Sequence, residues 1–443
     1  MRYFFVIFFT LLFFSCNKAD EAVDTIETSD ETNDEEEADN SVSQSPNILF
    51  IIADDLGKDA MNGFTEGNIK PTTPNLDVIR TNGLSFSNFW VYPTCTPTRA
   101  SIITGKHSLR TNVKWVGDDL STSETILHQY IKDETNDNYA TSLIGKWHLS
   151  GNNANTINPE TFGIDYYAGL FSGAVGDYYN WQFVENSSTS TTTEYTTTKF
   201  TDLAIDWIQE QDKPWFTWLA YNAPHTPFHV PPNEMHSQGN LPEYVTGMDP
   251  IPYYMAAIEA MDFQIGRLLD TLSEEERENT VVIFIGDNGT PNQVVQRPYS
   301  VNGAKGTLYQ GGINTPLFIS GAGVSRTGVD ENLIVGTDLF TTIAAIAGVS
   351  VNELNDSKSF KELLSNEMTI RDYQYAEMDD GTTHIWTISD GTYKLLVNSD
   401  GEELFYDLIN DPYESSDLMM ITLTPEAELV KNNLLEELVE IRN

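Results

Sequence analysis

Asn47-Ile-Leu-Phe-Ile-Ile-Ala-Asp-Asp-Leu-Gly57 decides the class of this chain. An unbroken apolar run rich in isoleucine reads as a strand buried on both faces, as in a parallel sheet. Thr280-Val-Val-Ile-Phe-Ile-Gly-Asp-Asn-Gly289 repeats the pattern, again ending on an acidic residue. Between them, Thr141 to Leu149 and Pro214 to Tyr221 read as further strands. Helical patterns alternate with these. Lys199 to Gln211 brings Phe200, Leu203, Ala204, Trp207 and Ile208 to one face, and Tyr253 to Leu272 is similar. The alternation predicts an α/β sandwich: a central, mostly parallel mixed sheet flanked by helices.

Working outward, residues 187–198 are Ser/Thr-rich and predict an exposed loop or edge hairpin. After about residue 350 the texture changes. Thr387 to Asn398 and Glu403 to Leu408, joined around Asp400-Gly401, read as a hairpin, and Thr424-Pro-Glu starts an amphipathic helix. The expected layout is a catalytic α/β domain at 47–350 and a small α+β subdomain with an antiparallel sheet at 351–443. Upstream, Met1-Arg2 and the apolar run Tyr3 to Phe14 form a signal peptide over 1–15, too short to span a bilayer. Cys16, directly after it, resembles the lipidation site of bacterial lipoproteins. Residues 16–46 are an acidic, disordered tether with a reach of roughly 30 Å. The expectation is an exported lipoprotein of the outer membrane, facing the cell surface or the periplasm and held only by a lipid on Cys16.

The formal charge of −42 argues against nucleic acid and against electrostatic adhesion to anionic lipid. An anionic substrate would need a local positive field. The only cysteines are Cys16 and Cys95. With Cys16 lipidated, Cys95 has no partner, and is either a reactive or modified residue or a small buried hydrophobe.

Asp54-Asp55 and Asp287-Asn288 stand where buried strands stop, the place where open α/β sheets bind ligands. Adjacent carboxylates repel unless a cation neutralises them, and hard oxygen donors suit Ca²⁺ or Mg²⁺. Either pair alone would more often be structural, as in a turn; two such pairs at strand ends point to a metal. In Thr94-Cys-Thr-Pro-Thr-Arg-Ala-Ser-Ile-Ile-Thr-Gly105, Pro97 suits the first turn of a helix, which puts Cys95 at its anion-favouring N-terminus and Arg99 one turn on. Lys146 and His148, two apart on a strand, would share one face, at a cost unless they serve a site. His225 lies between prolines and Lys305 between glycines; either alone is more often structural or a surface residue. His107 and His229 read as structural. Trp115, Tyr178, Tyr179 and Trp181 are candidates to stack on sugar rings, or simply to pack.

Cys95-Thr-Pro-Thr-Arg99 resembles the Cys-x-Pro-x-Arg signature of the formylglycine-dependent sulfatases. Five further stretches are similar in order: Asn47 to Gly57, Gly145-Lys-Trp-His148, Ala223-Pro-His-Thr-Pro227, Ile285-Gly-Asp-Asn-Gly289 and Gly303-Ala-Lys-Gly-Thr-Leu-Tyr-Gln-Gly-Gly312. Ser389-Asp-Gly-Thr-Tyr-Lys and Leu404 to Pro412 resemble the family's small subdomain, so the likeness runs from about 47 to 418. It departs at Thr98, usually serine, and at Lys58, commonly aromatic. The resemblance implies oxidation of Cys95 to formylglycine by a maturase before or during export. It implies one Ca²⁺ held by Asp54, Asp55, the converted Cys95, Asp287 and Asn288. Arg99 and Lys146 would hold the hydrated aldehyde and the sulfate, His225 or Lys305 would protonate the leaving alcohol, and His148 would take the proton that releases sulfate. The implied substrate is a sulfated polysaccharide or oligosaccharide. The rivals are a phosphodiester or phosphonate hydrolase of the same superfamily, where histidine typically replaces Asn288, and a silent sulfated-glycan-binding lipoprotein if Cys95 stays unconverted.

Overall fold

A computed structural model describes residues 45–151, 159–299 and 303–443, and these described residues form one compact unit. The expected signal peptide, lipidated Cys16 and tether lie outside the described residues, apart from the last two positions of the tether.

Four parallel strands carry the site: β1 (Asn47–Ala53), β2 (Ala140–Lys146), β3 (Trp215–Ala220) and β4 (Thr280–Gly286). Every residue of all four is buried. Their spatial order is β4-β1-β3-β2, so β1 lies between β4 and β3. The sheet extends to ten strands among the described residues. Leu317–Gly321 runs antiparallel beside β4, and Trp181–Glu185 with Ser188–Thr192 makes an antiparallel edge at the other end. The mixed, mostly parallel centre is as expected, and the Ser/Thr-rich stretch is an exposed edge hairpin followed by the Thr196–Gln209 helix.

Alternation along β1 divides the core. Ile48, Phe50 and Ile52 face one apolar layer, shared with Ala100, Ile102 and Ile103 of α1 (Cys95–Thr104). Leu49, Ile51 and Ala53 face the opposite layer, which packs on Thr196–Gln209 and Ile251–Thr271. A strand that buries both faces must be apolar throughout, which is why these runs are unbroken.

The C-terminal sheet has four antiparallel strands: Gln374–Asp379, His384–Ser389, Tyr393–Asn398 and Glu403–Asp407. The stretch read as one hairpin arm, Thr387 to Asn398, is two strands. Asp390 folds it by accepting the backbone N–H groups of Thr392 and Tyr393, and Gly391 adopts φ 85°. The Pro425–Arg442 helix covers this sheet through Leu434 and Leu438. Residues 351–370 still pack with the large domain, since Phe360, Leu363, Leu364 and the partly buried Ile370 lie in the α1-side layer.

One buried ion pair fixes the C-terminal sheet to the loop that carries Lys305. Lys394 pairs with Glu414 and donates to the Leu308 carbonyl at 2.6 Å, while Glu414 accepts from Gln310 N. Removing one partner strands a buried charge. Lys394→Met should therefore lower unfolding stability by about 3–5 kcal/mol, and adding Glu414→Gln should recover much of the loss, measured by chemical denaturation.

Candidate active site

The four strands deliver the site at their carboxyl ends. Asp54 and Asp55 follow β1 directly, and Asp287 and Asn288 follow β4, its parallel neighbour, with Ala53 opposite Gly286. Asp287 N donates to Ala53 O at 3.1 Å, and Asp55 N returns a hydrogen bond to Asp287 Oδ1 at 3.1 Å. Asp55 turns away at φ 68°, a left-handed conformation held by Tyr254, whose hydroxyl donates to the Asp55 carbonyl at 2.6 Å. Three carboxylates are thereby buried side by side.

Each has its own cation. Lys146, the last residue of β2, donates to Asp54 Oδ2 at 2.7 Å with both side chains fully buried. Arg99 sends Nε and Nη2 to Asp287 Oδ2 at 3.1 and 2.7 Å, and Nη1 to the Lys146 carbonyl at 2.9 Å. Lys305 pairs with Asp55 Oδ1, and His225 Nε2 lies 3.6 Å from Asp55 Oδ2. Burial alone would raise the Asp55 carboxyl; Lys305, then His225 and Asn288, hold it well below the usual carboxylate range. Asp287 moves the other way, raised by burial and by Asp54 despite Arg99 and Lys146.

Cys95 is the first residue of α1 and is buried. Burial pushes its thiol up, so the unmodified side chain stays protonated at neutral pH. Its Sγ lies 3.2 Å from His148 Nδ1. Burial, then Lys146 and Arg99, holds the His148 imidazole well below its usual range. His225 and Lys305 stand at the mouth, a cavity of about 180 Å³ shared with Asp55, Thr226 and Pro291 to Gln293.

Three comparisons with known proteins bear on what this arrangement is for. The family model described as Sulfatase matches residues 46–349, more than half the chain. The chain belongs to the sulfatase family. A second family description, N-sulphoglucosamine sulphohydrolase, C-terminal, matches residues 304–443. The sulfatase YdeN of Escherichia coli is 28% identical over 370 residues, which cover 70% of this chain but only 64% of that relative. The Ulvan-active sulfatase of Formosa agariphila is 26% identical over 461 residues, 97% of this chain and 84% of the relative. Among solved structures, Ps i-CgsB in complex with k-i-k-neocarrahexaose shares the fold at a TM-score of 0.77 and 24% identity, covering 90% of this chain and 93% of that one.

Sulfatases of this family generally use a formylglycine and a metal ion. The residues here fit a cation. Asp54 Oδ1 and Asn288 Oδ1, from two different strand ends, are buried with no hydrogen-bond partner among the described residues, a costly arrangement that a hard cation would relieve. Donor atoms of Asp54, Asp55 and His225 lie within 4.8 Å of one another. Asp287 and Cys95, both expected as ligands, fall outside that group: Asp287 is drawn to Arg99 and to the Asp55 backbone, and the thiol to His148.

The structure brings every expected site residue of the sulfatase into one place, but three readings change. Lys146 and His148 do not share a strand face. β2 stops at Lys146, Gly145 at φ 107° lets the Ala220 carbonyl approach, and His148 at φ 59° turns inward through a bond from its N–H to Phe171 O at 3.1 Å. Arg99 spends its guanidinium on Asp287 and the Lys146 carbonyl, so it sets the position of both. Tyr178 and Trp181 are buried and cannot stack on sugar rings. Tyr178 bonds the Asn222 and His225 carbonyls at 2.9 and 2.7 Å, and its ring stacks on His229 at 3.7 Å. Tyr179 is partly exposed. His229 and His107 are structural, as expected, each bonded to a tyrosine hydroxyl at 3.0 Å.

Two site residues escaped the sequence. Thr96 Oγ1 lies 3.2 Å from His148 Nδ1, and a Cβ at Gly173 would come within 2.2 Å of His148 Nε2. Neither carries a motif, since one acts through a hydroxyl and the other by lacking a side chain.

Lys58, just past the acidic pair, is buried and donates to Ser87 O and Asn314 Oδ1, both at 2.5 Å. Burial, opposed by Glu66, lowers its ammonium from 10.5 to about 7. Between those two values the unfolded chain binds a proton that the folded one lacks, so Lys58 makes stability rise with pH, by up to about 1.4 kcal/mol per unit. Thermal unfolding of Lys58→Met against the parent, from pH 7 to 10.5, should show that contribution to the rise gone.

Proposed function

We propose that this sulfatase removes sulfate monoesters from a sulfated polysaccharide or its oligosaccharides, with Cys95 converted to formylglycine and one Ca²⁺ bound by Asp54, Asp55, Asp287 and Asn288. The observation that carries the reading is the position of Cys95. It opens α1 with its Sγ 3.2 Å from His148, beside three carboxylates and their three cations. Relatives support the substrate class: one is an ulvan-active sulfatase, and one solved structure of the same fold holds a neocarrahexaose. We further propose that a lipid on Cys16 anchors the enzyme to the outer membrane and that a dedicated maturase supplies the aldehyde.

The calcium ion and the hydrated aldehyde would supply positive charge and a hydroxyl nucleophile. The chain's own residues do the rest. Lys146 and Lys305, together with the bound cation, offset the charge of the carboxylates and the ester, which favours an anionic ester over a neutral one. Arg99 fixes Asp287 and the end of β2, holding the reacting groups in register. His148 is placed to take a proton from a hydroxyl at position 95. His225 Nδ1 lies 2.6 Å from the Thr226 carbonyl, an acceptor only, so Nδ1 carries a proton and Nε2 faces the mouth. A proton on Nε2, steadied by Asp55, is the one delivered to a departing alcohol. Burial holds His148 in its neutral, proton-accepting form, while His225 sits at the partly exposed rim.

Cys95→Ala should abolish turnover of 4-nitrophenyl sulfate and of sulfated oligosaccharides while leaving the thermal transition in place. An active variant would reject the mechanism. His225→Ala should lose about 10²–10⁴-fold on sugar sulfates and much less on the activated aryl ester, read by steady-state kinetics on both. Equal losses would take His225 out of the acid role. Chelation should remove activity and lower the melting temperature, with Ca²⁺ restoring both.

A further inference from the structure

Buried polar atoms without partners are rare, and each asks for an explanation. At this site Asp54 Oδ1 and Asn288 Oδ1 are accounted for by the proposed cation. Asn222 is not. The residue is 2% exposed, and neither Nδ2 nor Oδ1 has a hydrogen-bond partner among the described residues.

Its backbone is firmly held. Ala220, two residues earlier, pairs with Ile52 of β1 on one side and Gly145 of β2 on the other. The chain leaving β3 therefore runs between the one that delivers Asp54 and the one that delivers Lys146. Tyr221 N donates to Ile52 O at 3.0 Å and Asp54 N to Ala223 O at 3.1 Å, so the pairing continues past the strand end. The Asn222 carbonyl accepts from His225 N at 2.8 Å and from the Tyr178 hydroxyl at 2.9 Å. Trp218 and Ala220 pack in the α1-side layer and Leu219 and Tyr221 in the opposite one. Carried one residue further, that alternation turns Asn222 toward the α1 side, where Cys95 stands.

We propose that Asn222 is a substrate-contacting residue of this sulfatase, its Nδ2 donating to a sulfate oxygen and its Oδ1 accepting from a hydroxyl at position 95. The inference rests on the function proposed above. A metal ion would use Oδ1 and leave Nδ2 orphaned. A tetrahedral anion beside a hydroxyl uses both ends of the amide at once. An unpaired amide also makes a signature prediction: replacing it with an apolar side chain of similar size does not harm the fold, because nothing in the folded protein bonds to it.

The test compares the parent with Asn222→Leu and Asn222→Asp. It reads the melting temperature without ligand, the affinities for Ca²⁺ and inorganic sulfate by calorimetry, and kcat/KM on 4-nitrophenyl sulfate. Asn222→Leu should melt at or above the parent temperature and keep its Ca²⁺ affinity. It should lose roughly 10- to 100-fold in sulfate affinity and at least as much in kcat/KM, the span of a hydrogen bond to a charged group. Asn222→Asp, which sets a carboxylate against the anion, should bind sulfate more weakly still. Unchanged sulfate affinity and kcat/KM in Asn222→Leu would overturn the proposal. So would a lower melting temperature with sulfate binding intact, which marks a structural role, or Ca²⁺ affinity lost in Asn222→Leu and kept in Asn222→Asp, which marks a metal ligand. A parent that neither cleaves the ester nor binds sulfate would remove the functional reading itself. An active parent matched by Asn222→Leu would remove only the role of Asn222.

Discussion

Three carboxylates are buried together at the ends of two neighbouring parallel strands, and the rest of the site follows from what that requires. Adjacent charges out of water repel strongly and lose hydration, so each needs a compensating positive group within hydrogen-bonding distance. The fold supplies three, from three different elements: Arg99 from α1, Lys146 from β2 and Lys305 from the loop after residue 303. Carboxylates and bases cancel one for one. A divalent cation added to that balance leaves a net positive centre in a protein whose overall charge is −42, and such a centre draws an anionic ester against the field of the whole molecule.

The same bonds that neutralise charge also fix geometry. Arg99 is the link between layers, since one guanidinium ties α1 to Asp287 just past β4 and to the carbonyl that ends β2. Cys95, one helical turn earlier, is thereby held against His148 and the acidic group together. The C-terminal sheet takes part from a distance: Lys394 and Glu414 brace the backbone at Leu308 and Gln310, just beyond Lys305. Stability and chemistry share these contacts, because a base that wandered would leave a carboxylate unpaired.

Much of this was legible in the sequence. Unbroken apolar runs such as Ile48 to Ala53 read as strands covered on both faces, and their abrupt endings at Asp54 and Asp287 mark the ligand end of a parallel sheet. Local pattern was a poorer guide where the backbone departs from regular geometry. His148 reaches Cys95 because residue 148 adopts a left-handed conformation, which a strand reading of Lys146 to His148 does not foresee. Tyr178 and Trp181 look like sugar platforms in a list of aromatic residues, yet burial commits them to packing. Asn222 and Gly173 have no motif of their own; only three-dimensional neighbours reveal an orphaned amide or a space that a methyl group would fill. Sequence reports what a residue is, and long-range packing decides whether its polar atoms are already spoken for.

If this constellation serves an oxidised side chain at position 95, the oxidation is visible in the mass of the peptide spanning Cys95, taken from enzyme made in cells that carry a formylglycine-generating maturase. The expected mass is about 18 Da below that of the cysteine peptide, the difference between a thiol-bearing and an aldehyde-bearing side chain. A fully active enzyme whose peptide retained the unmodified cysteine mass would contradict it.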